Sequence, residues 1–385
     1  MLALRLARGA RPLVQLRRAL LATASAGTGF LLLCALGWAM GHPASATEAA
    51  LRLAWCAVPL AATVHYALAV ARTDPGVRPR SALSAAGLGP SGLALLAAVS
   101  AGVACALGSA LALFLFLLLR GDLPSLPYSG AASGLLAHDR PLPLAAIGTL
   151  LLVTPVAVGA ACRLALRARS RGAEAAADDD EAPAPDSAPA GLPWGVALLA
   201  AGLAVEAYTH GSPDTSALVP GALADSPAGV VGGWALTTVG LVLAGPGLAY
   251  QCGRALQAVR PGAMRLLAGR VLQQEAARVG RPLGVLCAVA SAGFAAATLY
   301  TDRGPGPGPL GALGALLVAV CALAALLTAV AEARQEREPF RAALLDLGAA
   351  PTLLRGAVLL RAGTLLAVFG PVTWLVAVLA ALPLT

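Results

Sequence analysis

The chain has 385 residues and contains no lysine and no asparagine, and Ile147 is its only isoleucine. All 27 of its basic residues are arginine. Without lysine there is no P-loop lysine, Schiff-base lysine or kinase lysine. If ATP drives this protein, a separate chain must hydrolyse it. Without asparagine there is no N-glycosylation acceptor. The missing residue types have AT-rich codons, which points to a GC-rich bacterial genome. Charge is also scarce: 12% of residues are charged, against about 25% in a soluble domain. No C-x-x-C, H-E-x-x-H or G-x-S-x-G motif occurs, so the usual redox, zinc-protease and serine-hydrolase signatures are missing.

What is present is apolar. The hydrophobic fraction is 58% and the mean hydropathy +0.78, arranged in blocks of about twenty residues, each long enough to cross a bilayer core. This excludes a soluble enzyme, a coiled coil and a disordered scaffold. The short alternating strands of a transmembrane barrel are not seen. The expected fold class is all-α, a polytopic transmembrane helical bundle. Nine spans are predicted, at about 20–40, 50–71, 92–119, 142–163, 193–209, 228–250, 283–300, 310–331 and 357–380. The seven cysteines fall mostly inside these segments and read as small packing residues.

Arginine placement orients the spans. One set of loops carries Arg5, Arg8, Arg11, Arg17 and Arg18, then Arg72, Arg78 and Arg80, then Arg163, Arg167, Arg169 and Arg171. The same side continues with Arg254, Arg260, Arg265, Arg270, Arg278 and Arg281, and with Arg334, Arg337, Arg341, Arg355 and Arg361. The opposite side carries only Arg52, Arg120, Arg140 and Arg303. The split alternates at every predicted crossing and puts the N-terminus in the cytoplasm. The net charge of +8 therefore belongs to membrane-facing loops and not to a nucleic-acid patch. The expected location is a bacterial cytoplasmic membrane, with the lipid bilayer as partner. Residues 171–192, with Glu174, Asp178, Asp179, Asp180, Glu181 and Asp186 among alanines and prolines, read as a disordered acidic linker. Arg17 and Arg18 before an apolar run, with Ala44-Ser45-Ala46 after it, have the form of a signal peptide. The repeat below pairs that run with a retained span, which favours its retention.

Two loops on the arginine-rich side share a frame. Arg80 to Ser91 reads R-S-A-L-S-A-A-G-L-G-P-S, and Arg341 to Thr352 reads R-A-A-L-L-D-L-G-A-A-P-T. The common pattern is R-x-A-L-x-x-x-G-x-x-P-[ST], with every matched pair 261 residues apart. The same offset carries span 20–40 onto the seventh span, 50–71 onto the eighth and 92–119 onto the ninth. The chain thus reads as two parallel halves with two spans between them, and the second half has three spans where the first has four. Glycine suits the left-handed position that ends a helix, and proline two or three residues later suits the first turn of the next. Each loop therefore predicts a short helix, a sharp bend and a transmembrane helix: an elbow able to pass a push from the cytoplasm into the membrane.

At these residues the chain resembles the FtsX-like (MacB-type) permease family of ABC transporters. That family carries an R-x-E-x-x-x-L-R-x-L-G-A-[ST]-like segment before an outward-going helix, and Glu338 to Thr352 is similar, continuing through Gly363. The stretch after the sixth span, A-G-P-G-L-A-Y-Q-C-G-R-A-L through A-G-R-V-L-Q-Q-E-A-A-R, is similar to the segment opening the second half of such permeases. The first loop lacks the family's acidic residue, and Leu345 and Asp346 replace its usual basic–apolar pair. The external loops at 41–49 and 301–309 are short. The resemblance implies that Arg80, Leu83, Gly87 and Pro90, and Arg341, Leu344, Gly348 and Pro351, couple to a cytoplasmic ABC ATPase present in two copies. It also implies that residues 1–18 form an amphipathic helix along the inner membrane face.

The expected organisation is therefore a cytoplasmic helix (1–18), a first permease repeat (19–170), the linker (171–192), two connecting spans (193–250) and a second repeat (251–385). The expected function is a non-enzymatic permease subunit with no cofactor and no metal. The rivals are a mechanotransmitter paired with an ATPase, and a secondary transporter, for which the spans offer little polar lining. Gly306 to Gly311 spells G-x-G-x-x-G between helices among prolines and reads as a stiff turn, not a dinucleotide site. His42, His138 and His210 read as external-loop histidines. His65 and Glu206 are ionisable groups inside spans; Glu206 lies near a span end from which it can reach the surface.

Overall fold

A computed structural model of the chain describes residues 12–73, 90–122, 130, 141–178, 191–210, 228–258, 262–303, 308–348 and 350–381. The elements described are ten helices: α1 (Pro12–Gly41), α2 (Ala46–Trp55), α3 (Ala57–Thr73), α4 (Pro90–Arg120) and α5 (Leu144–Asp178), then α6 (Gly191–His210), α7 (Ala228–Ala258), α8 (Ala263–Arg303), α9 (Pro309–Asp346) and α10 (Pro351–Ala381). Eight stretches are long and apolar enough to cross a membrane, α2 and α3 together forming one of them. The seventh predicted span, 283–300, is the second half of α8 and is the one not among these eight. The chain is a multi-pass helical membrane protein. In hydrocarbon each backbone N–H and C=O must be satisfied within its own segment, and an apolar run of this length meets that condition as a helix.

Several boundaries differ from the sequence reading. Of the helix expected at 1–18, residues 1–11 lie outside the described residues, and residues 12–18 are the first turns of α1, which runs unbroken to Gly41. Pro12 suits the first helical turn, and no breaker separates Arg17 and Arg18 from the apolar run. α5 continues to Asp178, eight residues into the stretch read as linker, because alanine and glutamate there are strong helix formers. The span at 50–71 is two helices meeting at Cys56, whose N–H donates to the carbonyls of Arg52 and Leu53.

The helices form two compact units. The first comprises Met1–Ala182 with Pro309–Cys321, and the second Pro183–Gly308 with Ala322–Thr385. The two connecting helices α6 and α7 therefore belong with the second repeat and not to a segment of their own. In the first unit α1 packs on α4, α4 on α5, and α3 on both α1 and α5. The Ser25 hydroxyl donates to the Cys105 carbonyl across the α1–α4 contact (2.8 Å), and the hydroxyls of Thr28 and Thr63 meet at 2.9 Å. Leu33, Cys34, Phe116 and Ile147 form a buried cluster between α1, α4 and α5. In the second unit α6, α7 and α8 stack in sequence, and α10 packs on α8. Leu241, Tyr250, Cys287, Phe369 and Val376 are buried together there.

The 261-residue offset is visible in the helix ends. α4 and α10 are both 31 residues, and their first and last residues correspond one to one. The α1–α4 pair of the first half matches the α8–α10 pair of the second. All seven cysteines are free and buried.

Glycine sets the closeness of the α6–α7–α8 stack. A Cβ built on Gly240 of α7 would lie 2.5 Å from the Leu199 nitrogen and 2.8 Å from the Gly195 oxygen of α6. One on Gly284 of α8 would lie 2.6 Å from the Leu241 oxygen of α7. Lipid tails are as apolar as leucine, so helices in a bilayer gain mainly by close packing, and small residues allow it. We predict that Gly240→Ala lowers the stability of the detergent-solubilised chain by about 1–3 kcal/mol through overpacking. Gly148→Ala, where nothing lies within 4 Å of the added carbon, leaves it unchanged or slightly raised. Equal thermal unfolding of the two variants would contradict the close-packed stack.

Candidate functional site

The site begins as an excess of helix length. α9 has 38 residues, so it is about 57 Å long at 1.5 Å per residue, against a hydrocarbon core of about 30 Å. Its apolar part ends near residue 331. Beyond that come Glu332, Arg334, Glu336, Arg337, Glu338, Arg341 and Asp346, a polar extension too charged to lie in lipid. Pro339 sits inside it and removes one backbone donor, a place where a helix bends.

The extension ends in the predicted elbow. Gly348 has φ +86°, the left-handed region that favours glycine. The Leu347 N–H donates to the Ala343 carbonyl at 3.0 Å, and the Gly348 N–H to the Leu345 carbonyl at 2.9 Å, closing the helix. α10 starts at Pro351, whose missing N–H costs nothing at a first helical position. The Leu353 N–H bonds the Ala350 carbonyl at 3.0 Å. Arg341 is exposed and Leu344 half-buried. Phe340, Leu345 and Leu347 are exposed apolar side chains around the bend, Leu347 at 83%. In the first copy, α4 starts at Pro90 as α10 does at Pro351; Arg80, Leu83 and Gly87 lie outside the described residues.

An ion network that sequence reading missed braces the second elbow. Glu275 of α8 takes Arg337 Nε of α9 on Oε1 at 2.6 Å, and its Oε2 lies 3.7 Å from Arg361 Nη1 of α10. Arg278 of α8 pairs with Glu336 of α9. Arg337 also donates to the Ala333 carbonyl (2.8 Å) and Arg361 to the Ala357 carbonyl (3.3 Å). Glu275 is largely buried, and burial pushes its carboxyl above the usual carboxylate range, against the opposing pull of Arg337, Arg361 and Arg278. The hydrogen bond to Glu336 and nearby Glu332 raise Arg278 in spite of its burial. Three helices that enter the bilayer separately are thus tied together at one end. Beneath the network, Leu256, Ala268, Leu272 and Ala357 pack α7, α8 and α10 into one apolar cluster.

Shifted by 261, these positions are Val14, Arg17, Pro75, Gly76 and Ser100, so only Arg278 has a charged counterpart. That counterpart, Arg17, is buried, and its backbone carbonyl accepts from the Tyr66 hydroxyl at 3.2 Å. With those residue types the matching positions of the first half cannot repeat the ionic brace. A signal for it existed: charged residues of both signs on three otherwise apolar helices. Nothing in one-dimensional spacing shows that residues 275, 337 and 361 meet.

Of the other candidates, Glu206 does not reach the surface. It is fully buried, and the Thr237 hydroxyl of α7 donates to its Oε1 at 3.2 Å. Gly202 and Gly233 let the two backbones close over it. His65 is half-buried and His42 exposed, with the His42 ring stacked on Trp38 at 4.4 Å between centroids. Arg52 lies over the other side of this arrangement, 4.0 Å from the Trp38 centroid, a cation–π contact. Gly308, in the glycine–proline turn, is the N-cap residue of α9 and Pro309 its first residue. Among the described residues no three His, Cys, Asp or Glu side chains are placed to hold a metal ion.

No protein-family model matches this chain, and no curated protein or solved structure does.

The network makes a stability prediction. Glu275→Gln leaves Arg337 and Arg361 facing each other in a mostly buried site and costs about 1–3 kcal/mol. The exchange Glu275→Arg with Arg337→Glu recovers part of what either single charge reversal loses. Additive losses across that double-mutant cycle, read by thermal unfolding, would show that the two side chains do not interact.

Proposed function

We propose that the chain is the membrane-spanning subunit of an ATP-driven permease, moved by a separate cytoplasmic ATPase through the elbows at Arg80–Pro90 and Arg341–Pro351. The observation that carries this reading is the elbow motif, a sequence frame repeated at a constant spacing of 261 residues. At the second copy a left-handed glycine and a first-turn proline join a protruding helix to a spanning one. A bend closed by hydrogen bonds at one end and braced by ion pairs at its root moves as a solid piece. A push on Arg341 and the exposed Phe340 and Leu347 is then delivered to α10, and through Glu275 to α8. The lack of lysine supports a separate energy source, since this chain has no P-loop of its own. Two similar elbows suit two copies of the ATPase. ATP binding would close the ATPase dimer, displace both elbows and shift the helices they lead into.

A second reading is a secondary transporter, favoured by one observation: a carboxyl, Glu206, buried inside a spanning segment. A chain that works with an ATPase co-purifies with it, and a secondary transporter does not.

Two outcomes are expected. Affinity purification of the full chain from its native membrane recovers a Walker-A ATPase, and Arg341→Glu, Gly348→Pro or Arg80→Glu lowers that recovery by about tenfold or more, the equivalent of 1.4 kcal/mol. Unchanged recovery in all three variants would exclude the elbows as coupling elements. Single cysteines introduced at Arg341 and at Pro43, in a cysteine-free background, react with an impermeant maleimide from opposite sides of the membrane, Arg341 only after the cells are opened. Labelling of Arg341 in intact cells would reverse the orientation.

A further inference from the structure

Glu206 lies near the C-terminal end of α6, inside the apolar stretch Gly191–Tyr208. Its side chain is 0% exposed. A Cβ built on Gly233 of α7 would fall 2.5 Å from Glu206 Cγ, 2.8 Å from the Gly202 oxygen and 3.2 Å from the Glu206 nitrogen. The two backbones therefore meet at the carboxylate's root, leaving no space there for a hydration shell. The Thr237 hydroxyl reaches Oε1 at 3.2 Å.

We propose that Glu206 is a reversible proton-binding site, enclosed between α6 and α7, whose charge state sets how closely those helices pack. An ionised carboxylate within a spanning segment is costly, whereas a neutral carboxyl held by a hydrogen bond is not. A threonine hydroxyl both donates and accepts, so Thr237 serves either form: it donates to the anion or accepts from the acid. Release of the proton leaves a charge that must be hydrated. Water reaches it only if α6 and α7 part at this end. Gly202 and Gly233, which bring the backbones together, make that parting sensitive to the charge. The titratable residues near Glu206 on α6 are Tyr208, which is exposed, and His210 one turn on. Residues 228–249 of α7 and 362–381 of α10, the other helix packed on α6, contain no titratable group. The ligand is the proton itself, exchanged with the aqueous phase reached from the α6 end. This reading does not depend on the ATPase, since it needs only the folded chain in a bilayer.

The test uses full-length protein in lipid nanodiscs and dicyclohexylcarbodiimide, an apolar reagent that attacks protonated carboxyls. The carboxyl adds across a C=N bond, its proton passes to nitrogen, and the acyl group then moves to nitrogen. The whole reagent is retained and nothing leaves. Peptide mapping by mass spectrometry is expected to find the adduct on Glu206 in mildly acidic buffer, with a yield that falls as pH rises. Glu206→Gln removes the adduct. Thr237→Val moves the half-labelling pH upward, because the anion loses a donor. Infrared difference spectra of the unmodified wild type, acid minus alkaline, show a protonated-carboxyl C=O band absent from Glu206→Gln. A Glu206 that stays unlabelled at acid pH, or is labelled equally across the pH range, overturns the proposal, as does an infrared difference that Glu206→Gln leaves unchanged.

Discussion

Backbone hydrogen bonding in a solvent that offers none is the constraint from which this structure follows. A peptide group in hydrocarbon has no water to turn to, so each spanning segment must close its own ladder, and the helix is the form that does so within one segment. Polar side chains obey the same demand in miniature. Thr28, Thr63, Thr364 and Thr373 return their hydroxyls to carbonyls one turn back in their own helices. What remains for the fold to decide is how the helices pack. With no hydrophobic force between apolar surfaces in lipid, closeness of approach matters most, and glycine at the α6–α7–α8 contacts supplies it.

The second consequence concerns charge. Helices longer than the bilayer is thick carry their arginines and carboxylates on the protruding ends. There the cost of ionisation falls and pairing across helices becomes possible. The brace of Glu275, Arg337 and Arg361, with Arg278 and Glu336, occupies this zone. It converts the ends of α8, α9 and α10 from three independent rods into one joined piece. The residues at the matching positions of the first half cannot form such a brace, although the two loops share the glycine and proline of one sequence frame.

Glu206 shows the opposite solution to a charge in a membrane. No cation lies in the facing stretch of α7, and the carboxyl is packed under a glycine-lined backbone contact with the Thr237 hydroxyl beside it. An ion network stabilises by pairing at a wet margin, whereas a buried carboxyl in a spanning helix is stable chiefly as its neutral acid. The two sites sit in the same unit and answer the same electrostatic penalty, one by moving the charge out of the hydrocarbon and the other by giving it up.

Much of the architecture was legible in the amino-acid order. Run length and apolarity determined that the chain is a bundle of spanning helices, and the match of α4 to α10, end for end, was implicit in the 261-residue offset. Gly348 and Pro351 announced their own backbone geometry, since few residues other than glycine accept a left-handed φ and proline suits a first turn. These are local properties, carried by single residues and their immediate neighbours. Only the tertiary structure decided that residues 12–18 continue into α1, that α6 and α7 join the second repeat, that Glu275 bridges Arg337 and Arg361, and that Glu206 turns inward to Thr237. Each of these depends on which helix faces which and on how near the backbones come. That is a property of pairs distant in sequence, and in a chain rich in alanine, leucine and glycine many pairings look alike until the helices are packed.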